Sequence, residues 1–466
     1  MLRRKFEEVL KAWKTEPNRK PMVIKGIRQC GKTYIALKFA KANYKNVVYV
    51  NFVLTPSLIS AFTGSKDVDT ILLNLSAMIP DAGFTPGETC LILDEIQDCP
   101  DARTSLKSFM IDGRYDVIAT GSLLGVKGYG EKQKKENDGN LGKNSIPVGY
   151  ETVYTMYPLD FEEFLWANGV SSAVLEKLEE CYDQEKPVPD GVHAAMQQLL
   201  LRYAVVGGLP EAVNTFLETN NINKVIKVQR DIVSDYEEDM TKYASDEDKP
   251  HIRECFESIP SQLAKENKKF QFSTIKKGAR SSQYLGSLQW LEDAGMICRC
   301  YNTHLPDLPY SGNAKDDFFK VYVTDIGILM AMLDYGTQAN ILQGDLYGYK
   351  GAIYENLIAD MLIKAGRPLY YFRRDTGLEL DFLLQKADKN IAVEVKPKNG
   401  KGKSMDTVLK HPEIYHLKEG IKLGQYNVGR NGNLLTIPLY MAYLLGQTKP
   451  LSSIDKIDID ALNALC

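Results

Sequence analysis

Histidine is scarce in this chain. It has five in 466 residues, none in an HExxH arrangement, which argues against a histidine-ligated zinc enzyme but leaves carboxylate-based metal chemistry open. Eight cysteines are scattered without metal-ligand or disulfide spacing. Even the closest pair, Cys298 and Cys300, would share one side of a strand. The expectation is reduced thiols in a cytoplasmic protein. No apolar run reaches the ~18 residues of a membrane span, and the start, Met1-Leu-Arg-Arg-Lys-Phe-Glu-Glu8, lacks a signal-peptide core. Global basicity is missing too: the net charge is -3, so any surface for nucleic acid must be local. No 20–50-residue repeat is visible.

What is present is a long alternation of strand and helix patterns, enough for about two to four domains. Met22-Val-Ile24 reads as a buried strand. It is followed by Gly26-Ile-Arg-Gln-Cys-Gly-Lys-Thr33 and a helix, the context that a phosphate-binding P-loop requires. Its glycines let backbone N–H groups approach phosphates, and the helix N-terminus adds positive potential. Lys32 would neutralise phosphate charge and the Thr33 hydroxyl would ligate Mg²⁺. Gly26, Cys30, Gly31, Lys32, Thr33 and Tyr34 are therefore expected at the nucleotide. Leu91-Ile-Leu-Asp94-Glu95 supplies the acids that end a second buried strand. Asp94 would hold Mg²⁺ through water, and Glu95 would orient or deprotonate the attacking water. Thr120-Gly-Ser122 ends another strand and places Ser122 at a sensor position. Residues 127–146, rich in Gly and Lys, read as a mobile surface loop.

The order Walker A, Leu-Asp-Glu-Ile-Gln97, Ala-Thr-Gly-Ser122, Pro-Leu-Asp-Phe-Glu-Glu-Phe164 and Gly-Gly-Leu-Pro-Glu211 resembles the prokaryotic AAA-type ATPases with a C-terminal domain of unknown function. The Gly-Gly-Leu-Pro element is also similar to that of STAND-class ATPases, which implies that Pro210 closes over adenine from a helical lid. Where many members carry an arginine, the chain reads Pro147-Val-Gly-Tyr-Glu-Thr152, so no arginine finger is assigned. In residues 251–323 the order helix, turn, helix and two strands, together with the resemblance, suggests a winged-helix module. Its connector, Lys265 to Arg280, holds six basic residues against one acid, a charge that would suit phosphates.

A second constellation lies near the C-terminus, in Leu378-Glu-Leu-Asp-Phe-Leu-Leu384 and Ile391-Ala-Val-Glu-Val-Lys396. With a turn centred between Ala387 and Asp388, Asp381 faces Glu394 across a hairpin at a Cβ separation of ~5 Å. Two carboxylates that close call for a cation. Mg²⁺ or Mn²⁺ would serve, with Lys396 orienting the hydrolytic water. This Asp…Glu-x-Lys pattern resembles the PD-(D/E)xK nuclease core, which implies Glu355 on a preceding helix as a third metal ligand. Glu379 is a neighbour, and Arg373 and Arg374 would hold a phosphate backbone.

The expected fold class is α/β multidomain, in four parts. Residues 1–165 form the P-loop ATPase sheet, 166–250 a helical lid, 251–330 the winged-helix-like module and 331–466 the nuclease-like domain. The expected cofactors are ATP with Mg²⁺, and Mg²⁺ or Mn²⁺ at the second site. The expected activity is ATP hydrolysis coupled to a nucleic-acid-linked domain; the alternative is a STAND-like switch that binds a partner without cutting DNA. Expected partners are ATP and ADP, with DNA, a protein partner and a second copy of the chain as further candidates, and no membrane.

Overall fold

The computed structural model describes residues 2–122, 149–244, 248–265, 268–344, 349–386, 389–396 and 402–447. The expected loop 127–146 and the hairpin tip Ala387-Asp388 fall outside them.

The N-terminal sheet is parallel throughout. Its strands are β1 (Met22–Gly26), β2 (Asn46–Asn51), β3 (Thr89–Asp94), β4 (Asp116–Ser122) and β5 (Thr152–Thr155), in the order β2-β3-β4-β1-β5. Parallel sheets need both faces covered, and β3 accordingly is buried along its whole length. Helices α1 (Phe6–Thr15), α2 (Lys32–Asn43), α3 (Val68–Met78) and α4 (Pro100–Asp112) flank the sheet. Val50, Leu72, Leu91 and Phe109 pack in the core on one side, and Leu10, Ile35, Ile92 and Ile118 in the core on the other.

A helical region follows, with α5 (Phe161–Ala167), α6 (Ser172–Asp183), α7 (Asp190–Val206), α8 (Pro210–Thr219), α9 (Ile222–Tyr243) and α10 (Asp248–Leu263). The Pro-Leu-Asp-Phe-Glu-Glu segment starts α5 with a capping box: Asp160 accepts from the Glu163 N–H while Glu163 accepts from the Asp160 N–H. This satisfies two otherwise orphaned donors.

The helix-turn-helix expected around 251–294 is present as α10, the short α11 (Phe272–Ile275) and α12 (Ser281–Asp293). Strands β6 (Ile297–Thr303) and β7 (Ala314–Val323) pair antiparallel after it, but they do not stand apart as a separate wing. They continue a mixed eight-stranded sheet in the order β12-β13-β11-β10-β9-β8-β6-β7. Its other strands are β8 (Leu369–Arg373), β9 (Glu379–Lys386), β10 (Lys389–Lys396), β11 (Glu419–Gly424), β12 (Gly429–Asn431) and β13 (Leu434–Pro438). The boundary expected at 330 therefore cuts through one sheet, because β6 pairs parallel with β8. Between them come α13 (Ile326–Met332), α14 (Thr337–Leu342) and α15 (Lys350–Lys364); α16 (Lys403–Lys410) follows β10. No helix among the described residues is long and apolar enough to cross a membrane.

Candidate functional sites

The loop between β1 and α2 is shaped by its sequence. Gly31 stands at φ 95°, and Gln29 joins it in the left-handed region at φ 60°. A residue with a Cβ would be strained at Gly31. This winding turns successive N–H groups to one side, as an anion site needs. Lys32 is buried and donates to the carbonyls of Gly26 at 3.2 Å and Ile27 at 2.9 Å. Gly31, Lys32, Thr33, Tyr34, Glu95 and Ser122 line a cleft of about 550 Å³, joined from α9 by Asp235 and Glu238. Cys30 offers the loop only its backbone, since its thiol is buried against the Met156 carbonyl at 3.5 Å. Pro210 stands beside the loop, its ring 3.7 Å from where a Cβ on Gly31 would be.

Asp94 is the polar hub beneath this cleft. Thr33 Oγ1 donates to its Oδ1 at 2.9 Å, and the Thr120 hydroxyl donates to the same oxygen. Tyr49 and Asn51 donate to Oδ2 at 2.7 and 2.9 Å. Burial pushes the Tyr49 phenol up to about 12, so it remains a donor. A hydroxyl and a carboxylate in contact at the end of a P-loop suit Mg²⁺ bound with a nucleotide's phosphates. Thr33 and Asp94 would hold it, and it would neutralise charge on the transferred phosphoryl group. Glu95 holds a left-handed backbone at φ 55° and accepts from Gln97 Nε2 at 2.5 Å.

Several residues here escaped sequence reading. Arg4 is buried and bridges three elements: it meets Glu163 at 3.1 Å, the Cys30 carbonyl at 3.0 Å and the Tyr157 carbonyl at 2.6 Å. Burial, opposed by Arg4, raises the Glu163 carboxyl. Helix α9 is tied to the loop as well. Gln29 Nε2 donates to Asp235 Oδ2 at 2.6 Å, and the Tyr236 hydroxyl donates to the Arg28 carbonyl at 3.1 Å.

The Gly-Gly-Leu-Pro segment meets the C-terminal part at a buried ionic node. Lys364 Nζ lies 2.8 Å from Asp325, 2.8 Å from Asp360, 2.9 Å from the Tyr203 hydroxyl and 3.1 Å from the Leu159 carbonyl. Gly208 N–H donates to Asp325 at 2.9 Å. A Cβ on Gly208 would lie 2.0 Å from the Leu159 carbonyl, so only glycine passes there. Burial pushes the Asp360 carboxyl up to about 6 against the pull of Lys364.

At the C-terminal hairpin the expected register is found, Lys389 opposite Lys386 through Val393 opposite Phe382. Asp381 accepts the Val395 N–H at 2.8 Å. Lys396 pairs with Glu394 at 3.1 Å, and α15 brings Glu355 to the same face. The expected convergence of Glu355, Asp381 and Glu394 on a divalent ion is not built. Among the described residues, no three His, Cys, Asp or Glu side chains form a group that could hold a metal ion. Lys320 of β7, wholly buried, stands among these carboxylates, its Nζ 2.6 Å from Glu379 and 3.5 Å from Glu355. Lys268 also pairs with Glu355, and Tyr322 donates to it at 3.1 Å. Burial would raise the Glu355 carboxyl, but Lys320 and Lys268 hold it below its usual range. The residues as placed do not fit a metal-dependent nuclease centre.

Burial, reinforced by Glu355, pushes Asp381 up to about 7. A carboxyl raised on folding gives stability that is complete below its unfolded pKa and lost as pH climbs through the folded one. Asp381→Asn escapes that loss. Denaturant melts should show its stability relative to wild type improving by about 1–2 kcal/mol between pH 5.5 and 7. An unchanged difference across that range would show that Asp381 ionises freely.

Comparison with known proteins agrees with this geometry. Residues 18–165 match the AAA domain family. This match and the parallel sheet make them a P-loop ATPase-like domain. Residues 197–339 and 350–440 match two domains of unknown function, DUF8612 and DUF4143, and no curated protein matches the chain. Among solved structures, the Walker-type ATPase of Pyrococcus abyssi is similar at 12% identity and a TM-score of 0.42, over 71% of this chain and 96% of that one. A STAND protein with a tetratricopeptide repeat sensor from Pyrococcus horikoshii is similar at 13% identity and TM-score 0.25, over 77% of this chain. The Pif1 helicase from Bacteroides, in complex with ADP-AlF3 and ssDNA, is similar at 13% and 0.21 over 44%. The chain spans 48% and 50% of those last two.

Proposed function

We propose that ATP binding and hydrolysis at Lys32, Thr33, Asp94 and Glu95 set the state of a C-terminal domain resembling the PD-(D/E)xK fold. One observation carries this reading: helix α15 holds Asp360 and Lys364 at the node beneath Gly208, and Glu355 at the hairpin. The two ends are nine residues apart, roughly 13 Å along the helix. A second path reaches the node from the nucleotide cleft. Helix α9 touches the P-loop through Asp235, and its Arg230 reaches the carbonyls of Ala331 and Leu333 just beyond Asp325. A nucleotide that repels Asp235 and Glu238 would bias this contact, and coupling needs such a differential interaction.

The nucleic-acid link is supported by a cleft of about 540 Å³ lined by Lys269, Lys315, Arg373, Arg374 and the exposed ring of Phe318. Cations with a stacking face suit a single strand. Of the six connector cations, Lys265 and Lys268 turn inward to Gln271 and Glu355, which weighs against a phosphate role for those two. The second reading, a STAND-like switch that contacts a partner without cutting, is favoured by Lys320 among the carboxylates.

Hydrogen exchange tests the coupling. Adding ATP should change the protection of 350–364 at least about threefold in wild type and leave it unchanged in Lys32→Ala. Equal exchange with and without ATP, under conditions where ATP is bound, would remove the coupling.

A further inference from the structure

The hairpin site is balanced internally. Its four carboxylates are Glu355, Glu379, Asp381 and Glu394. Within reach are four cations: Lys268 and Lys320 on Glu355, Lys320 and Arg373 on Glu379, and Lys396 on Glu394. Asp381 has the Val395 N–H. Lys320 is the central member. Its side chain has no solvent exposure, and it comes from β7, on the far side of β6 and β8 from the hairpin. Its ammonium also lies 4.8 Å from the Tyr371 ring centroid. A charge in such a place survives only when paired. Burial would lower the Lys320 pKa, but the surrounding groups, Tyr322, Glu355, Glu379 and Asp381, hold it well above its ordinary value. These neighbours favour the charged ammonium.

A divalent ion among these carboxylates would have to sit close to this fixed charge. It would also bring two positive charges to a cluster that already has one cation for each acid. Glu394 Oε2 is buried without a hydrogen-bond partner, while Glu355, Glu379 and the other Glu394 oxygen are engaged by cations. Mg²⁺ or Mn²⁺, which take several oxygen ligands, would have to displace these pairs. We propose that Lys320 is the resident cation of this site: it takes the place of a divalent metal, closes the carboxylate cluster to Mg²⁺ and Mn²⁺, and makes the C-terminal domain a metal-independent element. The proposal concerns the hairpin alone and stands whether or not ATP controls it.

Mn²⁺ binding to nucleotide-free full-length protein, followed by electron paramagnetic resonance and by thermal melts, is the test. Wild type should show no Mn²⁺ site that Asp381→Asn removes. Lys320→Met should gain one, tighter by about tenfold or more than any wild-type binding, and the gain should vanish in Lys320→Met/Asp381→Asn. Because Lys320→Met leaves the cluster one positive charge short, Lys320→Met/Glu379→Gln restores the charge count and serves as the second variant. If Lys320→Met folds only with Mn²⁺ added, the proposal is also supported. A wild-type Mn²⁺ site abolished by Asp381→Asn would overturn it. So would the absence of any gain in a folded Lys320→Met or in the double variant.

Discussion

Lys32→Ala is expected to eliminate ATP turnover, lowering kcat/KM by about two to three orders of magnitude, and to weaken ATP binding by about tenfold to hundredfold. Lys32 is buried at the N-terminus of α2, with its ammonium held on the carbonyls of Gly26 and Ile27. These are contacts to neutral groups within the loop, and a nucleotide's phosphates would replace them with charge-assisted ones, roughly twice as strong. The alanine variant keeps the loop's N–H groups and the helix terminus but loses the buried ammonium at the start of α2, a loss of the order expected for one electrostatic group in an active site. Calorimetric titration and phosphate release measure the two effects separately. The fold should change little, since the lost bonds are local, so a melting curve close to wild type is part of the expected result. ATP affinity equal to wild type would show that the loop does not hold phosphate.

Lys364→Met is expected to cost about 3–5 kcal/mol of stability at pH 7, the usual penalty for leaving buried charges without a partner. Methionine fills a comparable volume, so packing is nearly kept, while Asp325 and Asp360 lose the ammonium 2.8 Å from each. Asp360 already stands at about 6 with Lys364 in place, and without it that carboxyl would rise further. Carboxyls raised in the folded state stabilise at low pH and lose that contribution as pH climbs. The variant's deficit should thus be smaller at pH 5 than at pH 8. Urea denaturation at both pH values decides this; a deficit under about 1 kcal/mol at pH 7 would mean the node contributes little.

How much was legible in advance follows the range of each interaction. The P-loop is a contiguous motif, and Gly31 and Lys32 do locally what their types require. The hairpin register follows from period-2 alternation and a central turn, both local. The residues that decide the chemistry around these motifs are distant in sequence. Arg4 reaches the loop from the N-terminus, Lys320 reaches the hairpin from 61 positions before Asp381, and Lys364 was hidden in the apolar pattern of α15. A buried lysine reads like a surface one unless its acids are known to converge on it. The place of the two expected strands within a larger sheet was hidden for a similar reason. Antiparallel pairing of β6 with β7 is readable locally, whereas the parallel partnership of β6 with β8 spans roughly 70 residues and leaves no local pattern.

That shared sheet constrains how the molecule can be divided. A chain split between 330 and 331 would part β6 and β7 from β8, so each fragment would present a raw edge of unpaired N–H and C=O groups. The N-terminal fragment would also carry Lys320 away from Glu355 and Glu379. The two pieces are thus natural complements: apart they should be sticky and poorly soluble, and together they should re-form one sheet, with opposite charges guiding the join. The molecule lends itself to fragment reassembly at a seam where its sequence suggests a boundary between modules.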